Sequence, residues 1–253
     1  MYLCTVFLPT SFSYLYYQQS QKDCAMNLTN TKLAEILKLF PLFESISQSD
    51  IENLAARAQV KSYKKHEVIY KYGDTSDYVY FLIKGSIKIG TFSNDGREVI
   101  KHILHPMAMF GELSLAGERK RSDFAHSLKS DTQIAVLRIA HIKQVMKQNY
   151  HLSMRILQFI GARLQQTENR LESLIFKDAR ERIIEFLKDS AEKQGKKIGY
   201  ELLIKHTLTQ QDIANITGTS RQTVTSVLND LKKANLIYFN RRSILIRDLA
   251  KLA

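Results

Sequence analysis

The chain has 253 residues, enough for two domains, and its 44% hydrophobic content with 3 prolines and 10 glycines is that of a folded protein, not a low-complexity one. A net charge of +12 and a pI near 9.6 favour a polyanionic partner, and that sign fits RNA or an anionic membrane as well as DNA. The 2 cysteines, Cys4 and Cys24, exclude a cysteine-ligated iron–sulfur cluster in the body of the chain, which needs about four thiolates, and suit a reducing compartment.

Residues 1–25 are aromatic and Ser-rich without periodicity. No basic segment precedes their apolar part, which argues against a secretion signal. The apolar run is also far short of the roughly 20 residues that span a bilayer, so no membrane partner is expected. A helical pattern begins at Leu28, just after Met26. We therefore expect Met26 to be the true start, with 1–25 a disordered extension or a mis-assigned start. The histidines show no metal-ligand spacing, and no metal site is expected.

From Lys61 to Ile139 the pattern changes to period two. Tyr78–Ile83 runs to a turn at Lys84-Gly85, Ile87 and Ile89 alternate with Lys88, and Ser93-Asn94-Asp95-Gly96 is a hairpin turn signal. Val99 to Leu104 and Gln133 to Ile139 follow as strands. Short strands between turns predict an antiparallel roll or barrel. One segment breaks the rhythm: Phe110-Gly111-Glu112-Leu113 through Arg121-Ser122. Its glycine opens a short helical turn with outward N–H groups, an anion site that Arg121 and Ser122 would complete, with Glu112 accepting from a sugar hydroxyl. A charged loop in which Glu112 pairs with Arg121 explains the same residues equally well.

Leu157, Ile160, Leu164, Thr167, Leu171 and Leu174 then follow alternating spacings of three and four, the seam of a paired helix. Docking of the helix on its own domain is the alternative. In a two-fold pair each helix would cover the seam of the other.

Thr209 to Leu231 reads as two short helices joined at Gly218. Thr209 with Asp212 is a capping box, and Ile213, Ala214 and Ile216 give an apolar face. Gly218 ends this helix, and Thr219 or Ser220 caps the next. Val224, Val227, Leu228 and Leu231 recur at helical spacing and leave Arg221, Gln222, Thr225, Ser226 and Asn229 polar. This is a helix-turn-helix, with Thr209, Gln210, Ser220, Arg221, Gln222, Thr225 and Ser226 as candidate DNA contacts. Two apolar runs, Leu236–Phe239 and Ile244–Arg247, flank Asn240-Arg241-Arg242-Ser243 and predict a basic-tipped wing, with Arg241 and Arg242 beside the phosphate backbone.

With Phe110-Gly111-Glu112-Leu113, Arg121-Ser122, Arg163-Leu164-Gln165-Gln166-Thr167 and Thr219-Ser220-Arg221-Gln222-Thr223-Val224 in this order, the chain resembles the catabolite activator/FNR (CRP/FNR) family of bacterial transcription regulators over about residues 35–247. The resemblance implies a cyclic-nucleotide-binding-type roll, a dimerisation helix and a winged helix-turn-helix. In cAMP-binding members the position of Glu112 holds the ribose 2′-hydroxyl. Those of Gly111, Arg121 and Ser122 hold the cyclic phosphate, and that of Thr167 holds the adenine.

Three departures stand beside these matches. Glu168 replaces a serine that reaches from the partner subunit, and the Glu112–Arg121 loop is one residue shorter. Asp123 replaces the usual alanine, a carboxylate that repels phosphate unless turned away or paired. cAMP, cGMP, another anion and a pocket without ligand all stay open. Arg221 matches an arginine that reads guanine, while Gln222 for glutamate and Ser226 for a second arginine imply a changed half-site. The cysteine count excludes the family's cysteine-cluster subgroup, and no residue signals heme.

We thus expect an α+β chain with a sensor domain over 26–148, a dimerisation helix over 149–177 and a winged helix-turn-helix domain over 178–253. It should bind a pseudo-palindromic DNA operator as a cytoplasmic homodimer, with RNA polymerase as a further partner. The effector would be cAMP or another cyclic nucleotide in the pocket of Gly111, Glu112, Leu113, Arg121, Ser122 and Thr167. The alternative is a ligand-independent regulator whose roll serves dimerisation or protein contacts. No activated nucleophile or phosphate loop points to an enzyme.

Overall fold

Ser47 accepts the backbone N–H of Asp50 at 3.1 Å and so starts the second of the two α-helices that precede the strands among the described residues, α1 (Asn30–Lys38) and α2 (Gln48–Arg57). The computed structural model describes residues 29–44 and 46–252, so the expectation for 1–25 lies outside the described residues. The chain divides into two units. One runs to Ile89 and resumes at Ile103–Gln165; the other joins Gly90–His102 to Gln166–Ala253. The β4–β5 tip thus groups with the C-terminal residues, and the long helix is shared at Gln165, unlike the three consecutive segments expected from sequence.

Eight strands form the roll: β1 (Gln59–Tyr63), β2 (Val68–Tyr70), β3 (Tyr78–Lys84), β4 (Ile87–Phe92), β5 (Glu98–Leu104), β6 (Met109–Phe110), β7 (Phe124–Ser127) and β8 (Thr132–Arg138). They lie in two four-stranded sheets, β1-β8-β3-β6 and β2-β7-β4-β5. In β3 the period of two separates two cores instead of core from solvent. Val79, Phe81 and Ile83 pack with α1 and α2, where the Phe81 ring lies 5.3 Å from Phe40 and 5.0 Å from Phe43. Tyr80 and Leu82 face the roll interior with Tyr70, Phe110 and Ile134. After β3, Gly85 has φ 103°, and a Cβ there would lie 2.3 Å from Thr132 Oγ1, so only glycine fits.

The β8 strand ends at Arg138, and Ile139 opens a helix, α3 (Ile139–Gln148), instead of closing the strand as expected. Helix α4 (Tyr150–Phe176) follows, with Leu152 and Ile156 buried in the first unit's core. The second unit holds α5 (Ala179–Gln194), started by an Asp178–Glu181 capping box, then α6 (Gln210–Thr217) and α7 (Arg221–Lys233). Its sheet, β11-β12-β10-β9, is larger than the expected hairpin. The wing strands β11 (Ile237–Phe239) and β12 (Ser243–Ile246) are joined by β9 (Lys196–Ile198) and β10 (Glu201–Lys205), and β10 pairs with β12.

Candidate functional site

The short helical turn expected after Gly111 forms where β6 ends. Gly111 takes φ 73° before a short 3₁₀ turn, Glu112–Ser114. A Cβ at Gly111 would lie 2.8 Å from Arg121 Nη1, so the arginine packs in the space that only glycine leaves. Arg121 is 2% exposed. It donates from Nη1 to the Gly111 carbonyl at 3.2 Å and from Nη2 to the Tyr78 carbonyl, and its guanidinium lies 4.6 Å from the Tyr70 ring centroid and 5.4 Å from that of Tyr80. Tyr80 and Phe110 stack at 4.9 Å behind it.

The carboxylates are distributed differently from the expected charged loop. Glu112 pairs with Arg163 at 3.4 Å, not with Arg121. Burial pushes the Glu112 carboxyl up, partly offset by Arg163. Asp123 accepts from the Tyr70 hydroxyl at 3.2 Å, which turns its charge toward a donor. Burial, then Asp123, push the Tyr70 hydroxyl far above its ordinary range. The carboxylate opposite Arg121 belongs to Glu118, at 3.6 Å, and Ser122 Oγ donates to it at 2.7 Å. Leu113 is half exposed beside the turn. Thr167 lies on α4 in the second unit with an exposed side chain.

Helix α4 carries two faces. Leu152, Ile156, Phe159 and Ile160 turn to the first unit's core, so Ile160 is partly buried there and not only a seam residue. Leu157, Leu164, Leu171 and Leu174 are exposed by 62, 60, 58 and 46%.

The helix-turn-helix is built by local chemistry. Thr209 accepts the Asp212 N–H at 3.1 Å and Asp212 Oδ2 accepts the Thr209 N–H at 2.8 Å, a complete capping box. Gly218 ends α6 with φ 64°, and Ser220, not Thr219, caps α7 by accepting the Thr223 N–H at 3.0 Å. The buried face of α6 is Ile213, Ala214 and Thr217. Ile216 is only partly buried because Thr217, one helical turn beyond Ile213, takes the inward place and bonds the Ile213 carbonyl at 2.8 Å. In α7, Val224, Val227, Leu228 and Leu231 are buried and Arg221, Gln222, Ser226 and Asn229 exposed. Thr225 donates to Gln210 Oε1 at 2.7 Å, which fixes two of the candidate contacts to each other. At the wing tip, Asn240 Oδ1 accepts the N–H groups of Arg242 and Ser243, both at 2.9 Å, and leaves the Arg241 and Arg242 side chains exposed.

Sequence reasoning missed further residues around these sites. Lys205 lines a shallow basic concavity with Asn240, Arg241 and Arg242, because β10 sets it opposite Ser243. The signal was the apolar run Leu202-Leu203-Ile204 after Gly199. Glu118 and Arg163 carried no signal that singles them out as pocket partners. Arg170, within the second unit, donates to the Ile100 and Lys101 carbonyls at 2.8 Å and to the Ile216 carbonyl. Asn215 also donates to Glu98 at 2.8 Å, so the β4–β5 tip is tied to α6.

Two family models match: the cyclic nucleotide-binding domain over residues 60–149 and the Crp-like helix-turn-helix domain over residues 181–253. The CRP-like cAMP-activated global transcriptional regulator of Mycobacterium tuberculosis is 32% identical over 219 residues, 87% of this chain and 97% of its own. The chain belongs to the CRP/FNR family. The global nitrogen regulator of Nostoc is 30% identical over 77% of this chain and 87% of its own. Among solved structures, FixK2 from Bradyrhizobium japonicum superposes with a TM-score of 0.70 over 77% of this chain and 95% of its own, at 22% identity, a likeness of fold. A CooA mutant from Carboxydothermus hydrogenoformans gives 0.69 at 26% identity over 89% and 96% of the two chains. As a CRP/FNR protein the chain is a DNA-binding transcription regulator, with a cyclic-nucleotide-binding-type roll and a Crp-like helix-turn-helix. No described helix is long and apolar enough to cross a membrane.

Proposed function

We propose that this CRP/FNR regulator works as a homodimer in the bacterial cytoplasm, reads a pseudo-palindromic operator, and is gated by a cyclic nucleotide held in the roll. The observation that carries the reading is the row of Leu157, Leu164 and Leu171 on one helix, each more than half exposed and spaced by heptads. Water-exposed leucines in that register are stabilised when a second copy covers them. RNA polymerase is the further partner that a transcription regulator of this type would contact. Arg121 and Ser122 supply the donors for a cyclic phosphate, and Glu112 an acceptor for a sugar hydroxyl. The relative from Mycobacterium tuberculosis is cAMP-activated by name, which supports a cyclic nucleotide as the effector class.

Each cyclic nucleotide in turn, cAMP and then cGMP, would be titrated into the purified protein by calorimetry. Sedimentation would give the oligomeric state, and operator affinity would be measured with and without nucleotide. Binding of either nucleotide with a change in operator affinity supports the gated dimer. A monomer at micromolar concentration would remove the dimer, and binding of neither nucleotide would remove the gate. The second reading, a ligand-independent regulator whose roll serves dimerisation or protein contact, draws on the same pocket. There Glu112 and Arg121 already have protein partners.

A further inference from the structure

The carboxylate that meets Arg121 and Ser122 is supplied by the chain itself. Glu118 Oε1 accepts the Ser122 backbone N–H at 3.1 Å and the Ser122 hydroxyl at 2.7 Å. Glu118 Oε2 accepts the Ser76 hydroxyl at 2.8 Å and lies 3.6 Å from Arg121 Nη1. An ionised carboxylate offers about four lone-pair sites; here three are taken by hydrogen bonds, and the Arg121 charge stands nearby. Ser76 and Arg121 are each 2% exposed while Ser122 is exposed, so the cradle has a buried floor and a solvent-facing edge. The backbone holds it in place: Gly73 N–H bonds the Arg121 carbonyl at 2.9 Å, Arg121 N–H the Asp74 carbonyl at 2.8 Å, and Glu118 N–H the Leu113 carbonyl at 2.9 Å. Burial alone would push the Glu118 carboxyl up, but the hydrogen bonds from Ser122 and Ser76, with the Arg121 charge, hold it below the ordinary range, so it is an anion near neutral pH.

We propose that Glu118 is an intramolecular counter-anion in the phosphate position of the roll, so that a cyclic phosphate binds only by displacing it and Glu118 sets the affinity for the effector. This deepens the nucleotide-pocket reading above and rests on it. Phosphate and carboxylate are both anions that seek the Ser122 N–H, the Ser122 hydroxyl and the Arg121 guanidinium. Like charges do not share one set of donors, so one must leave. The exchange is chemically matched, because each anion offers oxygens to the same groups. Arg121 Nε, buried and without a hydrogen-bond partner among the described residues, is a donor that Glu118 leaves unused. A phosphate, with more acceptor oxygens, has an atom to offer it.

The test is Glu118→Gln, which keeps the shape and an acceptor oxygen but removes the charge. Wild type and variant would be titrated with cAMP by calorimetry, and both melted with and without inorganic phosphate. The expected result is cAMP binding about tenfold or more tighter in the variant, the scale of one charge-assisted hydrogen bond. Phosphate should also raise the variant's melting temperature more than that of wild type. Equal or weaker cAMP binding in the variant overturns the proposal. If neither protein binds cAMP, the nucleotide reading fails, and the phosphate melts alone decide the role of Glu118. A larger phosphate effect in the variant then supports it, and an equal effect overturns it.

Discussion

Arg121 in the roll and Arg221 on the second helix of the helix-turn-helix carry the same guanidinium into opposite surroundings. Arg121 is enclosed by two carbonyls, two tyrosine rings and Glu118. Arg221 stands exposed at the start of α7, beside Gln222 and Ser226. The roll takes up most of the Arg121 donors internally and buries the side chain. The candidate DNA face of α7 instead exposes Arg221, Gln222, Ser226 and Asn229 to solvent, where a polyanion with many acceptors would reach them. A buried arginine is therefore part of what holds its domain together, whereas an exposed one acts mainly on the partner.

The largest effect that sharpens this contrast is expected from Arg121→Met. Removing one member of a buried pair and leaving the Gly111 and Tyr78 carbonyls without their donor should cost about 3–5 kcal/mol of stability, read by denaturant unfolding. A loss no greater than that of a surface substitution would break the comparison. Arg221→Ala should leave stability within about 0.5 kcal/mol while weakening operator binding by about 1–3 kcal/mol, with specificity relaxed at one guanine. Fluorescence anisotropy on single-base operator variants checks this, and equal loss on every sequence would contradict base reading. Arg241→Ala should weaken all sequences alike and reduce the salt slope of binding by about one. An unchanged slope would mean that the wing does not touch phosphate.

The smallest effect concerns pH. Burial holds the His206 ring below the ordinary histidine range, against the pull of the Leu208 carbonyl. The folded state thus resists a proton that the unfolded chain accepts. Its contribution is fully present above the unfolded value of about 6.5 and is lost as pH falls below it. The melting temperature of the second unit should drop from pH 7 to 5, and His206→Phe should flatten that drop.

Sequence made the helix-turn-helix legible almost residue by residue, since capping boxes and a left-handed glycine are local backbone chemistry. Thr209, Asp212, Gly218 and Ser220 act within a few residues of their partners. The error there, Ile216 for Thr217, is one of helical phase, and a threonine that bonds its own helix can be buried without penalty. The roll pocket was half legible. Gly111 and Arg121-Ser122 were visible as a motif, but the partners of its charges come from separate segments. Arg163 reaches Glu112 from α4, and Ser76 reaches Glu118 from before β3. No spacing rule joins positions so far apart. The place of Lys205 was missed for the same reason, because the pairing of β10 with β12 spans the whole helix-turn-helix.

The exposed leucines of α4 carry a consequence in mass action. When two chains must meet to cover Leu157, Leu164 and Leu171, the DNA-reading species forms by a second-order step. Well below the dimer dissociation constant, halving the protein concentration then lowers the dimer about fourfold. The number of copies in a cell becomes an input to the promoter in its own right, and operator occupancy falls more steeply than abundance.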